Sequence, residues 1–301
     1  MSSSSPPSPP SAADAPAPPG ATEYIQTVDA MALSGRHRAI ARLDYGPQAG
    51  QQLEVYVPSR ARIHTAPLPV LIFFHGGAWI RGGLTWLNFM APAVTALPAI
   101  FVAATYRLAP AHRWPAQYED ACDAIAHVHR HIGEFGGNPG RLLVGGHSAG
   151  GHLAALAMLQ RGIPPVLGCL PVRAPCDLRF GDVSVDSENG RAYKYLLQAH
   201  SQDADASPVL FTKGNRVPFH VVWGSNDFER ICRSSSALVA KLREGGSNVT
   251  ESVIDGAGHF DTHLMLAQTL NPWYEHAARM LAGDEGRDDF LTVSAASGLG
   301  P

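Results

Sequence analysis

Cysteine is scarce in this chain. Cys122, Cys169, Cys176 and Cys232 are the four in 301 residues, and none stand in a CxxC spacing. That scarcity argues against a disulfide framework or a zinc site and suits a reducing compartment with buried thiols. Charge of one sign is also missing: Lys and Arg total 23 against 26 Asp and Glu, a formal net charge of −3. With no basic run long enough to follow a phosphate backbone, nucleic acid is not an expected partner. Long apolar runs are absent as well. Stretches 70–74 and 99–104 fall far short of the ~20 residues that cross a bilayer, so no membrane segment is expected. Residues 1–20 are mostly Ser, Pro and Ala, without the basic and apolar regions of a signal peptide, and a cytoplasmic location is expected.

What remains is a chain that can bury a full core, with 45% hydrophobic and 16% charged residues. The Ser/Pro-rich leader 1–20 and the acidic, then Ser/Gly-rich tail 284–301 are expected to be disordered and loose respectively. Between them lies one domain, 21–283. Apolar runs of strand length at 38–44, 52–57, 69–74, 99–106, 141–145, 167–174, 218–223 and 248–254 alternate with helical patterns at 115–134, 149–160, 229–244 and 262–282. The alternation predicts an α/β fold: an eight-stranded, mostly parallel sheet with helices on both faces. Segments 23–36 and 177–216 break the rhythm and are expected to form a small cap; insertions as long as the second are usually functional.

The most specific local signal is Gly146-His147-Ser148-Ala149-Gly150 between an expected strand and an expected helix. A G-x-S-x-G turn in that setting is a nucleophile elbow, which presents the serine at the carboxyl edge of the sheet. A serine hydroxyl is a weak nucleophile near neutrality and needs a base, which in turn needs an orienting acid. Asp227 follows the strand at 218–223, and His259 follows the strand at 248–254 in a glycine loop, Gly256-Ala257-Gly258-His259. The order serine, acid, histidine suits the fold, so Ser148, Asp227 and His259 are the candidate triad, with Glu229, Asp255 and Asp261 as competing acids. His75-Gly76-Gly77-Ala78-Trp79 directly follows the strand at 69–74. Its glycines allow backbone N–H groups to turn toward a developing oxyanion, so Gly77 and Ala78, with Ala149 from the elbow, are the candidate oxyanion hole.

With these pieces, and with Tyr106-Arg107-Leu108-Ala109-Pro110 and Trp114-Pro115-Ala116, the chain resembles the α/β-hydrolases of the hormone-sensitive-lipase-like esterase and kynurenine formamidase (arylformamidase) branch. The resemblance implies a serine hydrolase that works through an acyl-enzyme, without cofactor or metal. Esterases of this branch usually carry three glycines in the first motif. Here Ala78 precedes Trp79, as in the formamidases, so cleavage of a small acyl or formyl group from an aryl amide or ester is the first expectation and general short-acyl carboxylester hydrolysis the second. A non-catalytic ligand receptor on the same fold is the reading of a different class; such receptors have lost a triad member.

Trp79, Trp86, Phe89, Phe180, Tyr193 and Tyr195 are candidates for an aryl pocket, with core packing as the competing role. The pair His127 and His131, four residues apart, has no third ligand within sequence reach, so a solvated helix face is expected there and no metal. The expected partner is a small-molecule acyl substrate; self-association as a homodimer is compatible with the sequence.

Overall fold

The computed structural model describes residues 18–34, 38–59, 66–160, 164–184, 187 and 189–283. The leader up to residue 17 and the tail 284–301 lie outside the described residues. The sheet has eight strands: β1 Ala41–Asp44, β2 Gln52–Tyr56, β3 Leu68–Phe74, β4 Ile100–Ala104, β5 Gly137–His147, β6 Val166–Val172, β7 Phe219–Gly224 and β8 Val249–Ile254. Their order is β1-β2-β4-β3-β5-β6-β7-β8. β2 pairs antiparallel with both β1 and β4; all other pairings are parallel.

The central strand β3, Leu-Pro-Val-Leu-Ile-Phe-Phe, is buried along its whole length, as a parallel strand covered on both faces must be. Alternation sorts its side chains. Val70, Ile72 and Phe74 join the cluster that includes residues of α3 (Ala116–His131), α4 (Ala149–Gln160) and α5 (Glu229–Glu244). Leu71 and Phe73 join the opposite cluster with α1 (Ala21–Ser34), α2 (Ala91–Ala96) and α7 (Pro272–Ala282). Among the described residues no helix is long and apolar enough to cross a membrane.

Two local expectations need correction. The helix expected at 262–282 is broken into α6 (Asp261–Leu264), a 3₁₀ turn Met265–Ala267, and α7. α7 restarts because the Asn271 side chain accepts the Trp273 N–H at 2.9 Å and Pro272 occupies its first position. α2 and the 3₁₀ turns before it, between β3 and β4, were not anticipated; they are too short to show a helical period.

The described part of segment 177–216 is pinned to the body. Trp114 N–H donates to Leu196 O at 3.0 Å, Arg113 donates to the carbonyls of Lys194 and Leu197, and Leu178, Tyr195, Leu196, Leu197 and Val209 are buried in the first cluster. On the opposite side, α1 docks through Tyr24, which stacks on Phe260 at 4.6 Å and donates its hydroxyl to His263 Nδ1 at 2.8 Å.

Candidate active site

The tight turn from β5 to α4 depends on glycine. A side chain at Gly146 would meet Gly150 at 2.4 Å, and one at Gly150 would meet the Phe74 carbonyl at 2.2 Å. The two glycines therefore let α4 start against the ends of β3 and β5. Ser148, between them, holds φ 51° and donates its N–H to Val172 O at 2.8 Å.

The serine faces the loop after β8. Ser148 Oγ lies 3.2 Å from His259 Nε2, and His259 Nδ1 lies 2.9 Å from Asp227 Oδ1. The Asp227 side chain is fully buried and the His259 side chain is 10% exposed. With Nδ1–H donated to the carboxylate, Nε2 presents a lone pair to the serine hydroxyl. Burial pushes the His259 imidazole below the ordinary histidine value, and Asp227 only partly offsets this, so His259 is neutral near pH 7. For Asp227, burial acts upward, but the hydrogen bond from His259 and the charge and hydrogen bond of Arg173 outweigh it. The carboxyl sits below its ordinary range, ionised.

The structure separates Asp227 from the competing acids. Asp255 accepts from Ser225 Oγ, Glu229 pairs with Arg233, and Asp261 accepts the Gly258 N–H. None of those bonds includes His259.

Gly77, Ala78 and Ala149 line the same pocket as Ser148 and His259. Gly77 has φ 116°, and a side chain there would meet Arg81 O at 2.1 Å; Ala78 and Trp79 follow at φ 52° and 62°. The loop is braced from the end of β4: Ala109 N–H donates to Trp79 O at 2.9 Å, Tyr106 donates its hydroxyl to His75 O at 3.0 Å, and its ring stacks on His75 at 4.4 Å. Arg107, next in the same motif, is held by the buried Asp120 carboxylate through Nε and Nη2.

Of the aromatic candidates, Trp79, Trp86, Phe180 and Tyr195 line the pocket. The Trp79 indole N–H donates to His152 Nδ1 at 3.2 Å, and His152 Nε2–H donates to Ala206 O at 2.7 Å, so Trp79 is tied to α4 and the 177–216 segment. Tyr193 is a correction. Two residues from Tyr195 on one helical turn, it points to the other side, stacks on His200 at 3.8 Å and donates to Asp203 at 2.7 Å, while accepting the Phe180 N–H. It buttresses Phe180 from behind. Phe89 is likewise core, packed edge-on against His263.

Sequence reasoning missed Tyr24, Phe228 and Phe260 in the pocket wall, the buried Arg173 on Asp227, and His147, which stacks on His263 at 4.3 Å. Only Tyr24 left a trace, in its place within a segment already read as cap. The His127 and His131 rings stand 4.5 Å apart, and no group of three metal-ligating side chains occurs among the described residues.

Comparison with known proteins agrees with this architecture. Residues 71–262 match the model of the α/β-hydrolase fold family. Esterase LipC of Mycobacterium tuberculosis is 32% identical over 254 residues, 74% of this chain and 61% of LipC. Carboxylesterase NlhH of the same organism is 40% identical over 119 residues, 38% of this chain and 36% of NlhH. The chain thus spans less than two thirds of the length of these relatives. Among solved structures, an esterase of Pyrobaculum calidifontis superposes with a TM-score of 0.70 at 20% identity, covering 87% of this chain and 90% of that one, a likeness of fold.

Proposed function

The chain belongs to the α/β-hydrolase fold family, and from that premise we propose that it is a serine carboxylesterase acting on short acyl groups with aryl-bearing leaving groups. The observation that carries the proposal is the unbroken chain Ser148 Oγ, His259, Asp227 opening onto an apolar pocket. His259 Nε2 takes the hydroxyl proton as Ser148 attacks the carbonyl carbon. The N–H groups of Gly77, Ala78 and Ala149 are assigned to the oxygen on which negative charge develops; each such donor is worth roughly 2.7–4 kcal/mol of barrier. His259 then returns the proton to the leaving group and activates the water that releases the acid, while Asp227 holds its tautomer and stabilises the imidazolium.

Substrate size follows from what bounds the serine. Trp79 is fixed by His152 on one side and Ala78 carries a methyl group, which favours formyl, acetyl or butyryl over longer acyl chains. Phe180 and Tyr195 supply flat apolar surface for an aryl group, with aromatic pairs contributing about 0.5–1.5 kcal/mol beyond burial. A second reading, hydrolysis of aryl formamides, rests on the Ala78-Trp79 pair. The names of the relatives, an esterase and a carboxylesterase, support the ester first. The test is kcat/KM for p-nitrophenyl acetate, butyrate and octanoate, then for N-formylkynurenine. A maximum at octanoate overturns the short acyl pocket, and formamide turnover exceeding that of the acetate puts the second reading first.

A further inference from the structure

We propose that Arg173 is a positioning residue of this site: it holds the Asp227 carboxylate ionised and turned toward His259, so that His259 stays available as the base. The inference rests on the hydrolase reading above. Arg173 directly follows β6, and its N–H donates to Val222 O of β7 at 2.7 Å, which places it beside the loop that carries Asp227. Its backbone takes φ 56°, a conformation arginine adopts reluctantly, and its side chain is fully buried.

The two carboxylate oxygens are divided between partners. Oδ2 accepts Arg173 Nε–H at 2.6 Å, with Nη2 in contact with the same oxygen. Oδ1 accepts His259 Nδ1–H at 2.9 Å and the Phe228 N–H at 2.6 Å. Arg173 thus occupies the oxygen that the histidine does not use and fixes the carboxylate's rotation. Among the described residues its buried Nη1 and Nη2 have no hydrogen-bond acceptor, Nη2 making only its ion-pair contact with Oδ2. A buried guanidinium left partly unbonded is a poor way to add stability, since well-packed apolar side chains at such positions are often as stable or more so. Its place on the acid of the site accounts for it better.

The charge has a consequence for the base. A cation against Asp227 weakens the carboxylate's hold on a proton at His259; Arg173 is among the groups that lower the His259 imidazole, after burial. The other groups around the pair are Arg230 and Cys232 of α5, His147 and Ser148 of the elbow, and Asp261 and His263 of α6. Without Arg173, the Asp227–His259 pair should take up its proton at higher pH, whichever member holds it.

The experiment is the pH profile of kcat/KM on p-nitrophenyl acetate for wild type, Arg173→Gln and Arg173→Lys, with folding checked by circular dichroism. Arg173→Gln is expected to move the acid limb up by about one pH unit and to lower plateau kcat by up to about a hundredfold. Arg173→Lys keeps the cation but not the directed Nε–H, so its acid limb should stay with wild type while plateau kcat falls. A folded Gln variant with the wild-type acid limb overturns the assignment and leaves the hydrolase reading intact. Should the Gln variant not fold, the Lys variant decides: an unmoved limb with reduced kcat supports the assignment, whereas unchanged kcat or a displaced limb overturns it. A wild type that neither hydrolyses the ester nor takes a fluorophosphonate fails the hydrolase reading, and this one with it.

Discussion

Ala78, Trp79, Ser148 and Arg173 are the non-glycine residues with positive φ among the described residues, and all four stand around the Ser148–His259–Asp227 chain. A left-handed backbone costs an L residue roughly 1–2 kcal/mol, a cost that the surrounding structure carries where function needs the geometry. Glycine escapes this cost but gives back about 0.5–1 kcal/mol in backbone entropy. Ser148→Gly is therefore expected to exceed Ser148→Ala in stability by about 1 kcal/mol, measured by urea denaturation; an equal or less stable glycine variant argues against strain at the elbow. Asp227→Asn is expected to lower kcat by about 10⁴ and to destabilise the fold by about 3–5 kcal/mol, because the buried Arg173 charge loses its partner. Asp255→Asn, at an exposed position, should change stability by no more than about 0.5 kcal/mol. Ser148, Asp227 and His259 could be singled out from sequence because strand ends and glycine turns are written locally. Arg173 could not, since nothing near it in the chain shows that its side chain reaches a residue 54 positions away.

At the scale of elements, legibility followed periodicity. α4 and α5 have the expected limits, α5 because its apolar spacing runs from a turn to a turn, and α4 because an apolar run buried on every side starts directly at the elbow. The stretch 262–282 also looks periodic, yet Asn271-Pro272 restarts the helix, and those two residues were a readable stop and start signal. Tyr193 and Tyr195 show the opposite limit: an irregular turn does not reveal which of two aromatics faces the pocket. α1 is held to the body by contacts that only the fold creates. Tyr24→Phe removes the hydroxyl that His263 accepts, and since His263 Nε2 already lacks a partner among the described residues, the cost should be about 1–2 kcal/mol in urea unfolding. An unchanged midpoint would mean that stacking on Phe260 alone docks the helix.

Across the whole molecule, the buried histidines make stability depend on pH. Burial lowers His75 and His152 to about 4, and His220 and His263 to about 3, from an ordinary 6.5. These groups stay neutral in the folded state while the unfolded chain binds protons below about pH 6.5, so stability falls as pH drops from there toward 4. Each contributes a slope approaching 1.4 kcal/mol per pH unit once the unfolded form is protonated. Urea midpoints at pH 7.5, 6 and 5 should decline in that order, and a flat series would contradict the neutral burial of these rings. The alternation of strands and helices made this architecture readable from the start. The division of the core by the sheet, and the docking of α1 and segment 177–216 over the serine, depend on long-range contacts that no local pattern encodes.

The central claim is that Ser148 is a nucleophile activated by His259, and locating a covalent adduct tests it most directly. The protein is treated with a fluorophosphonate, digested, and its peptides analysed by mass spectrometry, beside Ser148→Ala. One adduct per chain, on Ser148, with none in the variant, is the predicted result. An adduct on another residue, or labelling that persists undiminished in Ser148→Ala, would contradict it.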